Sequence, residues 1–137
     1  MSIERFIEAQ ERDYEIAYLE ISEGYKRSHY MWYIFPQLKE LGFSSTSKYY
    51  GIKDLEEARE YMNNEYLRNN LINISKVLLT LRTNNPKDIF GSIDSVKLKS
   101  CMTLFELVSD NEVFSKVLDK YYEGNRDEKT LNILNRK

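Results

Sequence analysis

The segment of residues 25–37 concentrates the side chains best suited to bind a flat, charged ligand. It contains five aromatic residues, together with the only His of the chain, His29, and the only Trp, Trp32. Aromatic rings stack on a flat heterocycle, while neighbouring cations such as Lys26 bind phosphate groups. The segment therefore predicts a site for a nucleotide-like or small anionic ligand, with these candidate ligand-binding residues: Lys26, Ser28, Tyr30, Trp32 and Gln37.

The same segment is also compatible with a packed aromatic core that has solvated charges at its edge. The polar residues within it would need hydrogen-bond partners if they were buried, and this requirement favours a binding site. The imidazole of His29 can act as an acid or a base near neutral pH, which makes it a candidate catalytic residue. The alternative is that His29 merely donates a hydrogen bond to a backbone carbonyl, and the spacing leaves both interpretations open.

A second candidate segment, residues 85–97, places charged residues at the start of a predicted helix. Gly91 and Ser92 open that helix, and the free backbone N–H groups of a helix N-terminus can bind an anion. Asp94 falls in the first turn and Lys97 one turn later, so Lys97 is a further candidate phosphate ligand. Asp94 is either a favourable charge at the helix N-terminus or a catalytic carboxylate, and both interpretations stay open.

Hydrophobic residues at helical spacing predict an all-α fold that positions both segments. Apolar residues recur every three or four positions in 3–25 and 67–81, a pattern typical of one buried helix face. Gln10 lies on the first of these faces and would need a polar partner there, so it joins the candidate ligand-binding residues. We predict a compact single domain over residues 1–137, with about seven or eight helices, several of them short.

Residues with strong capping preferences mark the ends of the predicted helices. Gly24 is predicted to end the first helix, and Gly91 to separate a short helix from the longer one that follows. Asp54, Asp110 and Asp127 are predicted N-caps, because a carboxylate accepts hydrogen bonds from the free N–H groups of a first helical turn.

Residues 30–50 have no clean period, and their assignment rests on turn-forming residues. The run 30–35 is predicted to form one helical turn. Pro36 is predicted to begin a helix that ends at Leu41, since proline suits the first position of a helix. The serine-rich stretch 44–47 then predicts a loop.

Composition and charge argue against several classes of function. The 137 residues carry 20 basic and 22 acidic side chains, and the net charge of −2 argues against a broad nucleic-acid-binding surface. One His and one Cys cannot build a disulfide scaffold or a zinc finger, and we predict no metal and no other cofactor. Cys101 lies on the apolar side of its helix, where we expect a core residue rather than a nucleophile.

The N-terminus and the apolar runs bear on localisation. The first residues lack a positively charged stretch followed by an apolar one, so no secretory signal is predicted. No apolar run approaches the roughly 20 residues of a membrane span. We therefore expect a cytoplasmic protein without a membrane partner, while the pattern indicates no particular oligomeric state.

Both charged segments also resemble a bacterial family, domain of unknown function 1810, which is sometimes labelled calpastatin. The pattern Lys-x-Ser-His-x-Met-Trp-x-x-Phe-Pro-Gln at residues 26–37 is highly specific for it. Further matching residues are spread along nearly the whole chain: Arg5, Phe6, Ala9, Gln10, Gly24, Leu41, Gly42, Tyr50, Gly51, Ile52, Glu57, Ala58, Phe90, Gly91, Asp94, Lys97, Leu98, Ser100, Met102, Thr103, Leu104, Phe105, Tyr121, Gly124, Thr130 and Leu131. The resemblance implies no established activity, and Ser95 replaces the Asp that would complete a carboxylate pair with Asp94.

Within residues 67–102, Asn85-Pro86-Lys87-Asp88 leads to Phe90-Gly91, and Leu98 and Met102 follow. This pattern is similar to the second half of the NADAR domain, named for its association with NAD and ADP-ribose. Relatives with that domain cleave N-glycosidic bonds of nucleotide-like or ADP-ribosyl substrates. The resemblance implies such an enzyme, with Asp94 or Asp88 as the carboxylate and the cations Lys26, His29 and Lys97 binding phosphate. The alternative is a non-catalytic binding module for an anionic metabolite or a partner protein.

Overall fold

The computed structural model describes residues 3–136, and the fold is all-α, as the hydrophobic periodicity predicts. The described residues contain a 3-10 turn (Lys39–Leu41) and these eight α-helices: α1 (Glu4–Ser22), α2 (Met31–Ile34), α3 (Ser45–Tyr50), α4 (Leu55–Asn63), α5 (Glu65–Thr80), α6 (Pro86–Glu106), α7 (Val113–Tyr122) and α8 (Glu128–Asn135). None of these helices combines the length and the apolar character that crossing a membrane requires.

The core forms where the longest helices pack on one another through aromatic side chains. Helix α5 packs against both α1 and α7, and α6 packs along α7. The ring of Tyr61 on α4 lies 5.2 Å from that of Phe6 on α1, edge to face, and 5.1 Å from that of Phe105 on α6. This aromatic cluster joins three helices that are distant in sequence, and Cys101 lies fully buried in the same core, as predicted.

Most of the predicted helix ends are confirmed by the backbone and its caps. Gly24 adopts a φ of 85° just after α1, and Gly91 adopts a φ of 78° at a break within α6. The side chains of Asp54 and Asp127 accept hydrogen bonds from backbone N–H groups in the first turns of α4 and α8. Helix α2 is the helical turn that was predicted in the run 30–35.

The helix predicted to begin at Pro36 is wrong. Leu38 instead forms a parallel β-bridge with Ile52, so the backbone there is extended. The N–H of Ile52 donates to the Gln37 carbonyl at 2.7 Å, and the N–H of Lys39 donates to the Ile52 carbonyl at 2.9 Å. Pairing with the chain that follows α3 thus overrides the local preference of proline and leaves only the 3-10 turn.

Two further predictions, one of a loop and one of a cap, are wrong. The serine-rich stretch 44–47 is not a loop, because Ser44 is the N-cap of α3 and its hydroxyl oxygen accepts a hydrogen bond from the Ser47 N–H at 3.0 Å. Asp110 does not cap α7, since the first backbone N–H of that helix donates to the side chain of Asn111 at 2.8 Å. In both places a polar side chain accepts a hydrogen bond from the first turn of a helix: Ser44 lies within the predicted loop, and Asn111 is one residue after Asp110.

Candidate functional site

The two charged segments meet in one cleft of about 180 Å³. Its walls come from the loop before α2, from α2 itself, from the start of α3 and from the part of α6 that follows Gly91. Among its lining residues are these candidates from the sequence: Lys26, His29, Tyr30, Trp32, Asp94 and Lys97. Residues far apart in the chain therefore share one opening on the surface.

Asp94 holds both lysines of the cleft through separate carboxylate oxygens. Its Oδ2 lies 2.9 Å from the Nζ of Lys26, and its Oδ1 lies 3.3 Å from the Nζ of Lys97. The Lys26 side chain is only 7 % exposed, so its charge is largely withdrawn from water and needs this partner. The three side chains leave one excess positive charge, which favours an anionic ligand.

Backbone geometry fixes the two segments relative to each other. The N–H of Lys26 donates to the carbonyl of Ile89 at 2.9 Å, which joins the loop before α2 to the first turn of α6. Gly91 then breaks α6 with a φ of 78° and a ψ of 176°, and Asp94 lies in the helical turn that follows. Because this combination of angles is open essentially to glycine alone, the position of Asp94 depends on Gly91.

A buried carboxylate outside the cleft, Glu20, anchors the loop that carries Lys26. Its Oε1 accepts hydrogen bonds from the Ser28 N–H at 3.0 Å and the Tyr30 hydroxyl at 2.9 Å. A further bond comes from the Arg27 N–H at 2.7 Å, and the Ser28 hydroxyl donates to Oε2 at 2.7 Å. Burial alone would raise the pKa of Glu20, but these hydrogen bonds outweigh burial and lower the pKa to about 2.

The lysines of the cleft cover the aromatic rings that were predicted to stack on a ligand. The Nζ of Lys26 lies 4.9 Å from the centre of the Tyr30 ring, and the Nζ of Lys97 lies 5.9 Å from that of Trp32. Tyr30 is nearly fully buried, and burial together with its bond to Glu20 raises the pKa of its hydroxyl. The Tyr30 ring thus packs beneath the Lys26 ammonium, whereas Trp32 lines the cleft and a neighbouring cavity as well.

A second cavity of about 370 Å³ adjoins the cleft and shares Trp32 and Lys97 with it. Gln37, another candidate from the sequence, lines this second cavity rather than the cleft. The residue is 1 % exposed, and its Nε2 finds no hydrogen-bond partner within residues 3–136. An unpaired buried amide lowers the stability of the fold, and in this respect Gln37 differs from Gln10, whose amide is hydrogen-bonded in the core.

The structure does not bring Gln10 into the cleft. Gln10 is buried in the core, where its Nε2 donates to the Tyr33 carbonyl at 2.7 Å and to the Tyr61 hydroxyl at 2.9 Å. Its Oε1 accepts a hydrogen bond from Asn70 at 3.0 Å. The partner that a buried glutamine needs is therefore supplied by the protein itself.

Asp88 and Ser28 also lie outside the cleft lining. Asp88 is exposed at the start of α6 and accepts a hydrogen bond from the Thr83 hydroxyl at 2.6 Å. Both the backbone N–H and the hydroxyl of Ser28 donate hydrogen bonds to the Glu20 carboxylate. Of the two carboxylates considered for catalysis, only Asp94 lies in the cleft.

Sequence reasoning missed several residues that build the site. Ser44 and Thr46 line the cleft, but they were assigned to a loop because contact between α2 and α3 arises only in three dimensions. Glu20 did carry a signal, since it follows Ala17 by three positions and therefore shares the buried face of α1. An acidic residue on an apolar face requires polar partners, and the loop 26–30 supplies them.

Comparison with known proteins adds a family and one close structural match. The family model described as "Protein of unknown function (DUF1810)" matches residues 1–134. The chain is similar to the crystal structure of the conserved hypothetical protein Rv1873 from Mycobacterium tuberculosis, with 38% sequence identity and a TM-score of 0.95, over 98% of this chain and 96% of that chain. No curated protein matches at a significant level. Neither match extends to the NADAR domain, so that similarity stays a prediction.

Proposed function

This chain belongs to the DUF1810 family, and we propose that it binds a small phosphorylated, nucleotide-like ligand in the cleft between residues 26–33 and the part of α6 after Gly91. One observation carries the proposal: the ammonium groups of Lys26 and Lys97 converge on Asp94 at 2.9 and 3.3 Å inside that cleft. The proposed location is the cytoplasm, where phosphorylated metabolites are abundant.

A phosphoryl group suits the cleft in both charge and size. Each lysine ammonium carries three N–H donors, and Asp94 engages only part of this capacity, which leaves donors for phosphate oxygens. A volume of about 180 Å³ lies below the roughly 300 Å³ at which whole drug-sized ligands are usually bound. The exposed imidazole of His29 lines the same cleft and adds a third cation when protonated.

Lys97→Met tests the phosphate site with little risk to the core, because the Lys97 side chain is 30% exposed. We expect the affinity for adenosine 5′-monophosphate and for inorganic phosphate, measured by isothermal titration calorimetry, to fall by about tenfold or more, since a hydrogen bond to a charged group contributes about 1.5–3 kcal/mol. Lys116→Met on α7 is the matched control, because that lysine is exposed and forms a surface ion pair with Glu112. Equal affinities in the variant and the wild type would refute the proposed site.

Hydrolysis of an N-glycosidic bond in the bound ligand is a second candidate function, and the position of Asp94 favours it. Asp94 supplies the carboxylate that lines the cleft in the described part of the chain. In such a reaction water attacks the anomeric carbon, and the C–N bond breaks with its electron pair on the base nitrogen. Asp94 would stabilise the oxocarbenium-like transition state, orient the water and accept its proton, while protonated His29 donates a proton to the nitrogen of the leaving base.

Asp94→Asn separates hydrolysis from binding. The free variant should be less stable, because Lys26 loses its buried partner. Since the substitution also removes a negative charge beside the phosphate, we expect adenosine 5′-monophosphate to bind a few-fold more tightly, while any release of free base from nucleotides or ADP-ribosylated nucleic acid stops. Asp88→Asn, outside the cleft, is the control and keeps both properties. If the wild type binds nucleotides but releases no base, the chain is a non-catalytic binding module and the hydrolytic function is rejected.

A further inference from the structure

The second cavity adjoins the proposed phosphate site. Trp32 and Lys97 line both spaces, so a ligand held at Lys97 lies next to the larger one. The second cavity measures about 370 Å³, roughly twice the volume of the cleft. A ligand with a phosphate at one end and a flat ring system at the other fits this pair of spaces better than phosphate alone.

Gln37 gives the second cavity a specific polar requirement. Its side chain is almost fully buried, lines the cavity, and carries an Nε2 without a partner in the described part of the chain. Leaving a buried donor unpaired costs about 1–3 kcal/mol, so a site that retains one gains when a ligand supplies an acceptor. A carbonyl oxygen or ring nitrogen of a nucleobase is such an acceptor.

The remaining walls suit a flat heterocycle with polar edges. Ile93 and Val96 project from α6 with 74% and 59% of their surfaces exposed, and both border the cavity. Asp127 contributes an acceptor to the cavity wall. Its Oδ2 accepts hydrogen bonds from Ser100 and Thr130, which hold the carboxylate in place. Apolar faces, the Gln37 amide, the ammonium groups of Lys97 and Lys129 and the Asp127 carboxylate together suit a base that carries both hydrogen-bond acceptors and an N–H group.

We infer that the second cavity binds the heterocyclic base of the ligand, with the Gln37 amide donating to the base, while the cleft holds its phosphate. This inference rests on the proposed phosphate site and names the ligand class more closely: a nucleoside phosphate rather than a sugar phosphate or free phosphate. Trp32 is 7% exposed and borders the cavity, so its indole adds an apolar contact to the hydrogen bond.

A comparison of nucleoside monophosphates with ribose 5-phosphate tests the inference, because ribose 5-phosphate lacks only the base. We expect at least one 5′-nucleoside monophosphate to bind the wild type about tenfold more tightly than ribose 5-phosphate in calorimetric titrations. Val96→Arg, which fills the cavity from an exposed position, abolishes that difference, while its added charge beside Lys97 leaves ribose 5-phosphate binding at least as tight as in the wild type. Ile16→Arg on α1 is the matched control, since that residue is similarly exposed and lies away from both spaces.

Gln37→Met, which keeps the side-chain length and removes the amide, is the second variant. We expect it to weaken nucleoside monophosphate binding about five- to tenfold and to leave ribose 5-phosphate binding unchanged. If ribose 5-phosphate binds the wild type as tightly as every nucleotide, or if Val96→Arg keeps the preference, the inference is overturned while the phosphate site stands. If neither compound binds, the phosphate site itself fails and the inference fails with it.

Discussion

At the level of single residues, the cleft depends on a side chain that does not line it. Glu20 accepts hydrogen bonds from the side chains of Ser28 and Tyr30 and from two backbone N–H groups of the loop that carries Lys26. These bonds are strongest to the ionised carboxylate, because charge-assisted hydrogen bonds are roughly twice as strong as neutral ones. The conformation of the loop is therefore coupled to the protonation state of Glu20.

Glu20→Gln should destabilise the protein in a pH-dependent way. The pKa of Glu20 is lowered to about 2 in the folded protein, so its ionised form contributes stability above the ordinary carboxyl pKa, and this contribution is lost as the pH falls toward 2. We expect the variant to lose about 1–3 kcal/mol of unfolding free energy at neutral pH and progressively less toward about pH 3. Urea unfolding followed by circular dichroism across that range measures the difference.

Glu23→Gln provides the comparison for that experiment. Glu23 lies in the same turn of the chain but is exposed, and it forms a surface ion pair with Arg27 at 2.9 Å. Surface pairs contribute about 0–1 kcal/mol, so this variant should stay close to the wild type at every pH. A constant difference between wild type and Glu20→Gln from neutral to acid pH would show that the loss is one of packing, not of charge.

At the level of elements, the break in α6 determines which way its charged turn faces. The chain passes from the first turn of α6 through Gly91, and the second part of the helix then carries Asp94 and Lys97 into the cleft. An added Cβ at Gly91 would meet no atom within 4 Å, so space does not require glycine there. The backbone does, because φ of 78° with ψ of 176° lies in a region that other residues avoid.

Gly91→Ala should therefore cost about 1–3 kcal/mol of stability through backbone conformation alone. We also expect weaker binding of adenosine 5′-monophosphate, since relief of the strain would turn Asp94 and Lys97 relative to Lys26. Urea denaturation and calorimetric titration measure the two effects. Ser92→Ala, one residue later and exposed, should change stability by less than about 0.5 kcal/mol, and a Gly91→Ala protein as stable as this control would contradict the argument.

Elements with local causes were predictable, and those with tertiary causes were not. The ends of α1 and α4 follow from Gly24 and Asp54, whose effects operate within a few residues. Pro36 was misassigned because Ile52, remote in sequence, pairs with the backbone next to it. Ser44 was misassigned because serine favours both loops and N-caps, and only the packing of α3 against α2 decides between them.

At the level of the whole molecule, the residue types of the site were predictable but their pairing was not. The motif at 26–37 and the charges at 94–97 stood out in the sequence, yet nothing in their spacing states that Lys26 reaches Asp94. Gln10 illustrates the opposite failure, since a polar residue on a buried face can be satisfied by the core as well as by a ligand. Linear patterns show that a partner is required, and the fold determines which partner it is.

The rate at which a thiol reagent labels Cys101 reports on global unfolding and on ligand binding. It is the only cysteine, it is fully buried on the same helix as Asp94 and Lys97, and burial raises the pKa of its thiol. A thiol reagent should therefore label the native protein only through unfolding, because both access and the thiolate are suppressed. Labelling in mild urea, followed by mass spectrometry, then measures the population of the unfolded state.

A ligand that binds only the folded protein stabilises it in proportion to its free concentration. At about 100 times its Kd, adenosine 5′-monophosphate should add about 2.7 kcal/mol and slow Cys101 labelling about 100-fold. In Lys97→Met the same nucleotide concentration should give much less protection, whereas Lys116→Met should behave as the wild type. Rapid labelling of the native wild type would show that the helix opens locally, and nucleotide protection that survives Lys97→Met would place the binding site elsewhere on the molecule.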